Sequence, residues 1–130
     1  MLATLKEVLQ AAEDKKIAIG AFDTPNLESL CAAIAAAEEV ELPTIIMHAQ
    51  CHESLCPLDV IGPIMVEHAK KAKVPVCVHL DHGDSIDRVK FALSMGFTSV
   101  MYDGSTLPYE ENVANTKLAA ELAHAQGADI

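Results

Sequence analysis

The sequence predicts an α/β fold in which short parallel strands alternate with amphipathic helices. Four apolar runs of strand length recur along the chain, and each is followed by a segment with apolar residues at helical spacing. No linker or low-complexity segment interrupts this alternation. Continuous apolar strands that alternate with helices are typical of a parallel sheet that is covered on both faces.

The first half of the chain contains two predicted helices and two predicted strands. The opening helix has an apolar stripe made of Leu2, Leu5, Val8, Leu9 and Ala12. A capping box, Thr4-Leu5-Lys6-Glu7, lies inside this stripe and leaves the first helical residue open. The first strand is predicted over residues 17–22 (IAIGAF), the second helix from Leu27 to about Val40, and the second strand over residues 43–48 (PTIIMH).

The second half of the chain repeats the alternation. Pro57 suits the first turn of a helix whose stripe is Ile61, Ile64, Met65 and His68. The third strand covers residues 74–80 (VPVCVHL), and Ser85 is a suitable cap for the helix that follows. The fourth strand covers residues 96–103, and the last helix runs from Pro108 to about Gln126, where Gly127 ends it. The final Ala-Asp-Ile predicts the start of a fifth strand.

Two architectures fit this order of elements, a doubly wound sheet and half of an eight-stranded barrel. The polar residues at the strand ends favour the barrel. All four strands end in such residues: Asp23, then His48, then Asp81 and His82, then Asp103 and Ser105. A ring of polar groups at the carboxyl ends of the strands is typical of the TIM (β/α)8 barrel, which takes about 250 residues. Residues 1–130 are therefore expected to be the N-terminal half of a single (β/α)8 barrel domain, with an N-terminal helix and about four βα units.

Composition and charge exclude several classes of partner. The formal net charge is -10 and no basic stripe is present, which disfavours nucleic acid and anionic membrane surfaces as partners. A phosphorylated ligand would have to be bound by backbone N–H groups or by residues outside this chain. No signal peptide is visible at the N-terminus, and no apolar run reaches membrane-spanning length. Cys31 and Cys77 fall in apolar patterns, which indicates structural thiols in a reduced, cytoplasmic protein.

The segment His79-Leu80-Asp81-His82-Gly83 carries the strongest chemical signal. Because side chains alternate along a strand, His79 and Asp81 are expected on one face, with His82 at the strand exit and Gly83 in a tight turn. A histidine is a good zinc ligand, and a neighbouring carboxylate can accept or donate a proton. The alternative is a polar loop start in which the aspartate caps a helix.

Three further groups have functional and structural interpretations. Asp103 and Ser105 are expected to face the same cavity, or else to cap the next helix. Asn26 either caps the second helix or reaches into the cavity. A structural zinc site formed by His48, Cys51, His52 and Cys56 is disfavoured because no second ligand pair has suitable spacing, although His48 alone can contact a ligand.

Three blocks of the sequence resemble the class II, zinc-dependent aldolases that act on ketose bisphosphates. These blocks are VPVCVHLDHG, GFTSVMYDGSTLPYEENVANTK and AFDTPNLESL, and with their spacing the resemblance extends over nearly all of the chain. It implies the reversible, zinc-dependent aldol cleavage of a phosphorylated ketose to a ketone like dihydroxyacetone phosphate and an aldehyde phosphate.

The resemblance implies roles for individual residues. Asp81 matches the catalytic proton donor of the family, and His82 matches one of the three histidines that hold the catalytic zinc. Asp103 matches a carboxylate at a second metal position, and Asn26 matches an asparagine near the substrate. Ser105 and His48 are expected to contact the substrate because both lie at strand ends. The other two zinc histidines and the phosphate-binding loops of the family are expected beyond this chain.

Two departures from the family pattern leave the substrate open. The family often has Asn-x-Asn-Asn where this chain has residues 23–26 (DTPN), and Gln-x-Ser where this chain has residues 47–49 (MHA). Another metal-dependent barrel enzyme and a non-catalytic half-barrel that docks with a partner are the alternative interpretations. We expect the open edges of a half-barrel to be covered by the missing C-terminal half or by another copy, as a homo-oligomer, and the 130-residue chain alone to be inactive.

Overall fold

The computed structural model describes residues 1–130 and contains a single sheet with helices on both of its faces. The strands are β1 (Leu2–Ala3), β2 (Ala21–Asp23), β3 (Thr44–Ala49), β4 (Val76–Gly83) and β5 (Ser99–Tyr102). The helices are α1 (Leu5–Lys15), α2 (Leu27–Glu39), α3 (Leu58–Lys71), α4 (Ile86–Ser94) and α5 (Tyr109–Ala125), with a short 3₁₀ helix at Gln50–His52. None of these helices is both long enough and apolar enough to cross a membrane.

The strand order identifies the architecture. From β2 to β5 each strand is parallel to the next strand along the chain and pairs with it, so the order never reverses. A doubly wound sheet requires such a reversal, whereas a (β/α)8 barrel does not. Asp129 forms a parallel β-bridge with Ser99 of β5. This bridge lies where the sequence predicts a further strand after the last helix. The fold is therefore part of a TIM-type barrel, as predicted.

The N-terminal segment differs from its prediction. The helix begins at Leu5 and not at Leu2, because Thr4 and Glu7 form a complete capping box that fixes its first turn. Leu2 and Ala3 instead form β1, which pairs with the first residues of β4. This pairing joins residues more than 70 positions apart, so no local pattern in the sequence could indicate it.

The two faces of β4 have different surroundings. Val78 and Leu80 are fully buried in the main core, which the sheet forms with the helices on its outer face. On the inner face, Cys77 belongs to a smaller cluster with Val8 of α1. The helix α1 thus covers the inner face near the strand starts. The side chains that follow Cys77 on this face, His79 and Asp81, are only partly buried.

Candidate active site at the strand ends

The end of β4 places a proton-transfer group and a metal-ligand candidate next to each other. His79 and Asp81 lie on the inner face of the sheet, opposite Val78 and Leu80, as the alternation of the sequence predicts. The Asp81 side chain is 20% exposed, and its Oδ2 atom lies 3.9 Å from Nε2 of His82. This carboxylate is sheltered but still accessible, which suits proton transfer to a bound molecule.

His82 has an unusual backbone conformation. Its φ angle is 50°, in the left-handed region that non-glycine residues rarely adopt, and the pairing of β4 with β5 shifts register between Leu80 and Gly83. Gly83 continues the strand and does not form the expected tight turn. A Cβ atom at Gly83 would lie 2.8 Å from the Leu80 side chain and 2.9 Å from the Met101 carbonyl oxygen, so close approach explains the glycine. Strained residues of this kind cluster at functional sites.

Asp103 orients the His82 ring. The Nδ1 atom of His82 lies 2.6 Å from Oδ2 of Asp103, and the other carboxylate oxygen accepts a hydrogen bond from the Ser105 backbone at 3.0 Å. The Asp103 backbone N–H also donates to the Gly83 carbonyl at 2.8 Å. Hydrogen bonds from Ser105 and then from His82 lower the pKa of Asp103 to about 2. The bond to Asp103 and the charge of Asp81 raise the pKa of His82.

The donor set around His82 fits a divalent metal ion in part. Because Nδ1 is bonded to Asp103, the second ring nitrogen, Nε2, remains free on a side chain that is 57% exposed. A carboxylate that fixes the ring of a metal-binding histidine in this way is the usual arrangement at zinc sites. No group of three or more His, Cys, Asp or Glu residues is arranged to hold a metal ion. A catalytic zinc site takes three protein ligands, and this chain offers one candidate ligand, His82.

The structure brings four of the predicted site residues together and leaves two apart. Asp81, His82, Asp103 and Ser105 are neighbours at the ends of β4 and β5. Neither Asp103 nor Ser105 caps α5, which begins after Pro108 without a side-chain cap. Both oxygens of Asp103 already have protein partners, so its place at a second metal position stays a prediction, as does the substrate contact of Ser105.

Asn26 and His48 have structural contacts of their own. The Asn26 side chain caps α2 by accepting a hydrogen bond from the Ser29 backbone at 2.8 Å. His48 is fully buried, and its Nε2 atom lies 2.9 Å from the Cys56 carbonyl oxygen. A substrate contact by either residue stays a prediction, and for His48 it would require the ring to move.

Sequence reasoning missed several polar contacts around the site. His79 Nδ1 lies 2.8 Å from Ser99 Oγ on the adjacent strand, and the loop after β3 is fastened to α4 by an ion pair between Glu53 and Arg88. That pair lowers the pKa of Glu53. His79 stood in the strongest motif and its alternation indicated the correct face. Glu53 and Arg88 are 35 positions apart and neither lies in a recognisable pattern, so no signal pointed to them.

Burial of His48 predicts a pH-dependent stability. The bond from Nε2 to the Cys56 carbonyl leaves Nδ1 buried without a partner, so burial lowers the pKa of His48 below its ordinary value of 6.5. Unfolding then binds a proton, and the free energy of unfolding falls as the pH drops below about 6.5, until the lowered pKa of the folded state is reached. For one group the slope is at most about 1.4 kcal/mol per pH unit.

We expect His48→Gln to reduce this slope, because a glutamine N–H can still donate to Cys56 while the titrating group is gone. Chemical unfolding between pH 7.5 and 5 measures the effect, over a pH range of roughly one to two units below the ordinary histidine pKa. His124→Gln, on an exposed site of α5, is the matched control. An unchanged slope in His48→Gln would contradict the assignment.

Comparisons with known proteins identify the family of the chain. The family model described as fructose-bisphosphate aldolase class-II matches residues 3–130. A fructose-bisphosphate aldolase of Thermus caldophilus is 41% identical over 130 residues, covering 100% of this chain and 42% of that protein. One from Giardia intestinalis is 35% identical over 135 residues, covering 99% of this chain and 40% of that protein.

A solved structure is similar over almost the whole chain. The YdjI aldolase from Escherichia coli K12 superposes with a TM-score of 0.91 at 36% identity, covering 98% of this chain and 48% of that one. The chain thus spans less than half the length of these relatives. The match of the family model to nearly every residue, together with the strand order and the polar groups at the ends of β4 and β5, shows that the chain belongs to the class II fructose-bisphosphate aldolase family.

Proposed function

We propose that the protein containing this chain catalyses the zinc-dependent, reversible aldol cleavage of a ketose bisphosphate, giving a ketone like dihydroxyacetone phosphate and an aldehyde phosphate. The observation that carries the proposal is the array of Asp81, His82 and Asp103 at adjoining strand ends, in a chain that matches the aldolase family over residues 3–130. Polar groups at the carboxyl ends of barrel strands are the usual seat of catalysis in this fold. The family match also disfavours a hydrolytic metal-dependent barrel.

Asp81 is the proposed proton-transfer group. In cleavage, the bond between C3 and C4 of the ketose breaks, its electron pair stays on the ketone half, and the proton of the C4 hydroxyl must leave as the aldehyde forms. The Asp81 carboxylate takes that proton and returns it in condensation. Its position on the inner face near the end of β4, with a side chain that is 20% exposed, supports this role.

His82 is the proposed metal ligand, through its free Nε2 atom. Asp103 holds the ring by the bond to Nδ1, which fixes the tautomer whose lone pair is on Nε2. A zinc ion, when bound, supplies Lewis-acid polarisation of the oxygens on the ketone half. Two further zinc ligands and the groups that bind phosphate would come from outside residues 1–130, which contain only nine basic side chains.

The open edges of the sheet support a further partner for this half-barrel. Phe22 on β2 is 51% exposed, and with α2 it borders an apolar groove of about 290 Å³. At the other edge, Ile130 is 41% exposed next to the bridge between Asp129 and Ser99. Unpaired strand edges beside apolar surface favour association with another chain. We propose that these edges are covered by the C-terminal half of the barrel or by a second copy of the chain, within a homo-oligomer.

An aldol-cleavage assay tests the proposed function. The longest natural form of the protein, loaded with zinc, is expected to cleave at least one of several ketose bisphosphates, with release of the ketone phosphate measured by a coupled assay. The isolated 130-residue chain is expected to be inactive and to self-associate in sedimentation, because it has one zinc ligand and two open edges. Failure of the long form on every ketose phosphate, or turnover by an isolated monomer of residues 1–130, would contradict the proposal.

A further inference from the structure

The Asp103 carboxylate, which holds the His82 ring, is carried by the loop between β5 and α5. One carboxylate oxygen lies 2.6 Å from Nδ1 of His82, and the other accepts a hydrogen bond from the Ser105 backbone at 3.0 Å. This second bond spans Gly104, so the carboxylate is tied to the backbone of its own loop. The Leu107 N–H closes the next turn by donating to the Gly104 carbonyl at 2.9 Å. The orientation of Asp103 therefore depends on where the Gly104 backbone lies.

Gly104 has no room for a side chain, because the start of α5 packs directly against it. A Cβ atom there would overlap Oδ1 of Asn112 and would lie 2.8 Å from the Tyr102 ring, well inside ordinary van der Waals contact. Gly104 is buried, although its neighbours Asp103 and Ser105 are at least partly exposed. The loop is thus pressed against Asn112 and Tyr102 at one point, directly after Asp103.

Both groups that meet Gly104 are held by hydrogen bonds within or from α5. Oδ1 of Asn112 accepts a hydrogen bond at 3.1 Å from the hydroxyl of Thr116, one turn further along the helix. The Tyr102 hydroxyl accepts a hydrogen bond from the Asn115 side chain at 2.9 Å. The helix α5 therefore fixes the surface on which the loop rests.

The helix itself does not explain why these positions are asparagine. Asparagine is a poor residue for a helix interior because its side chain competes for backbone hydrogen bonds, and alanine would favour the helix more at either position. The core contacts of α5 come from Ala119 and Ala123, and neither asparagine takes part in them. The contacts of Asn112 with the loop and of Asn115 with Tyr102 are therefore what the two residues contribute to the structure.

We infer that Asn112 is a positioning residue for His82, the proposed zinc ligand, an assignment that rests on the proposed zinc-dependent aldol function. The Asn112 side chain fixes the Gly104 backbone, and this backbone places the Asp103 carboxylate. The carboxylate in turn fixes the ring whose Nε2 atom is the proposed ligand atom. Asn112 thus acts through Asp103 and is not itself a catalytic residue.

Loss of the Asn112 side chain is expected to weaken zinc binding without abolishing it. Asn112→Ala removes the group behind Gly104, so the loop can shift and carry Asp103 with it. Partners that orient a metal-binding histidine typically contribute about 10- to 100-fold to metal affinity, and we expect about 3- to 10-fold from a residue one contact further away. Asn112→Asp keeps an oxygen that can accept from Thr116, and its charge suits the start of a helix, so it should retain most of the affinity.

A double-mutant cycle on zinc affinity tests the inference in the longest natural form of the protein. Competition with a chelator gives the zinc Kd of wild type, of each single variant (Asn112→Ala and Asp103→Ala) and of the double variant. If Asn112 acts through Asp103, Asn112→Ala should weaken binding by about 3- to 10-fold when Asp103 is present and by less than about 2-fold in Asp103→Ala. Gly104→Ala disturbs the same contact from the loop side and should show the same dependence on Asp103. Lys117→Ala, at an exposed position of α5, is the matched control and should bind zinc as wild type does.

The cycle separates positioning from a general effect on folding. A purely structural role would weaken zinc binding equally with and without Asp103, and that result would overturn the inference. Unchanged zinc affinity in Asn112→Ala, in a protein whose wild type binds zinc and cleaves a ketose bisphosphate, would overturn the inference alone. A wild type that neither binds zinc nor cleaves any ketose bisphosphate would instead overturn the proposed function, and this inference with it.

Discussion

Asp81→Ala is expected to lower kcat for aldol cleavage by about 10²–10⁴-fold while KM changes little. A carboxylate that takes a proton only as the C3–C4 bond breaks contributes to the transition state and not to binding of the ground state, so its loss is confined to kcat. Such a factor corresponds to about 3–5 kcal/mol in the activation free energy. Steady-state kinetics on the zinc-loaded, full-length protein measure the effect.

The conservative variant Asp81→Asn distinguishes proton transfer from packing. It keeps the shape of the side chain but cannot accept the proton, so its kcat should fall about as far as that of Asp81→Ala. Asp87→Ala removes a carboxylate that is 95% exposed on α4, and its kcat should match wild type. If kcat were preserved in Asp81→Asn, another group would have to move the proton.

Much of the fold was predictable because its signals are local. The apolar runs placed β3, β4 and β5 within a few residues, and Asn26 and Ser85 occupy the predicted N-cap positions of α2 and α4. The strand β1 was missed because two residues become a strand only through pairing with Val76 and Cys77. The strand β2, Ala21–Asp23, overlaps only the end of the run predicted over residues 17–22 and is shorter than that run, since an edge strand has a pairing partner on one side only.

The site was predictable as a set of residues but not as a set of contacts. Alternation along β4 placed His79 and Asp81 on one face, and the neighbouring strand ends brought Asp103 near His82. That Asp103 binds Nδ1, and so leaves Nε2 free, depends on the register shift and the left-handed φ angle at His82. No sequence pattern specifies either feature, because a β-bulge and a strained residue both depend on how the neighbouring strand fits.

These contacts lead to a second large expected effect, on metal content. We expect His82→Ala to abolish zinc binding at the catalytic site, while Asp81→Ala leaves it largely intact. A catalytic zinc ion usually has three protein ligands, so removing one leaves two ligands and a site open to water. The Asp81 carboxylate lies 3.9 Å from Nε2 of His82, and its proposed role is to exchange a proton with the substrate and not to bind the metal.

Elemental analysis and a zinc titration with a competing chelator test this prediction. Asp103→Asn is a third variant, for which an intermediate loss of zinc affinity is expected. Because Asp103 holds His82 through the 2.6 Å contact to Nδ1, its loss should weaken zinc affinity by about 10- to 100-fold without abolishing it. His124→Ala, at an exposed position of α5, is the control for nonspecific loss of a histidine and should retain full zinc content. Equal zinc loss in His82→Ala and Asp81→Ala would contradict the division of roles, because it would make the carboxylate a ligand and leave the proton transfer without an assigned group.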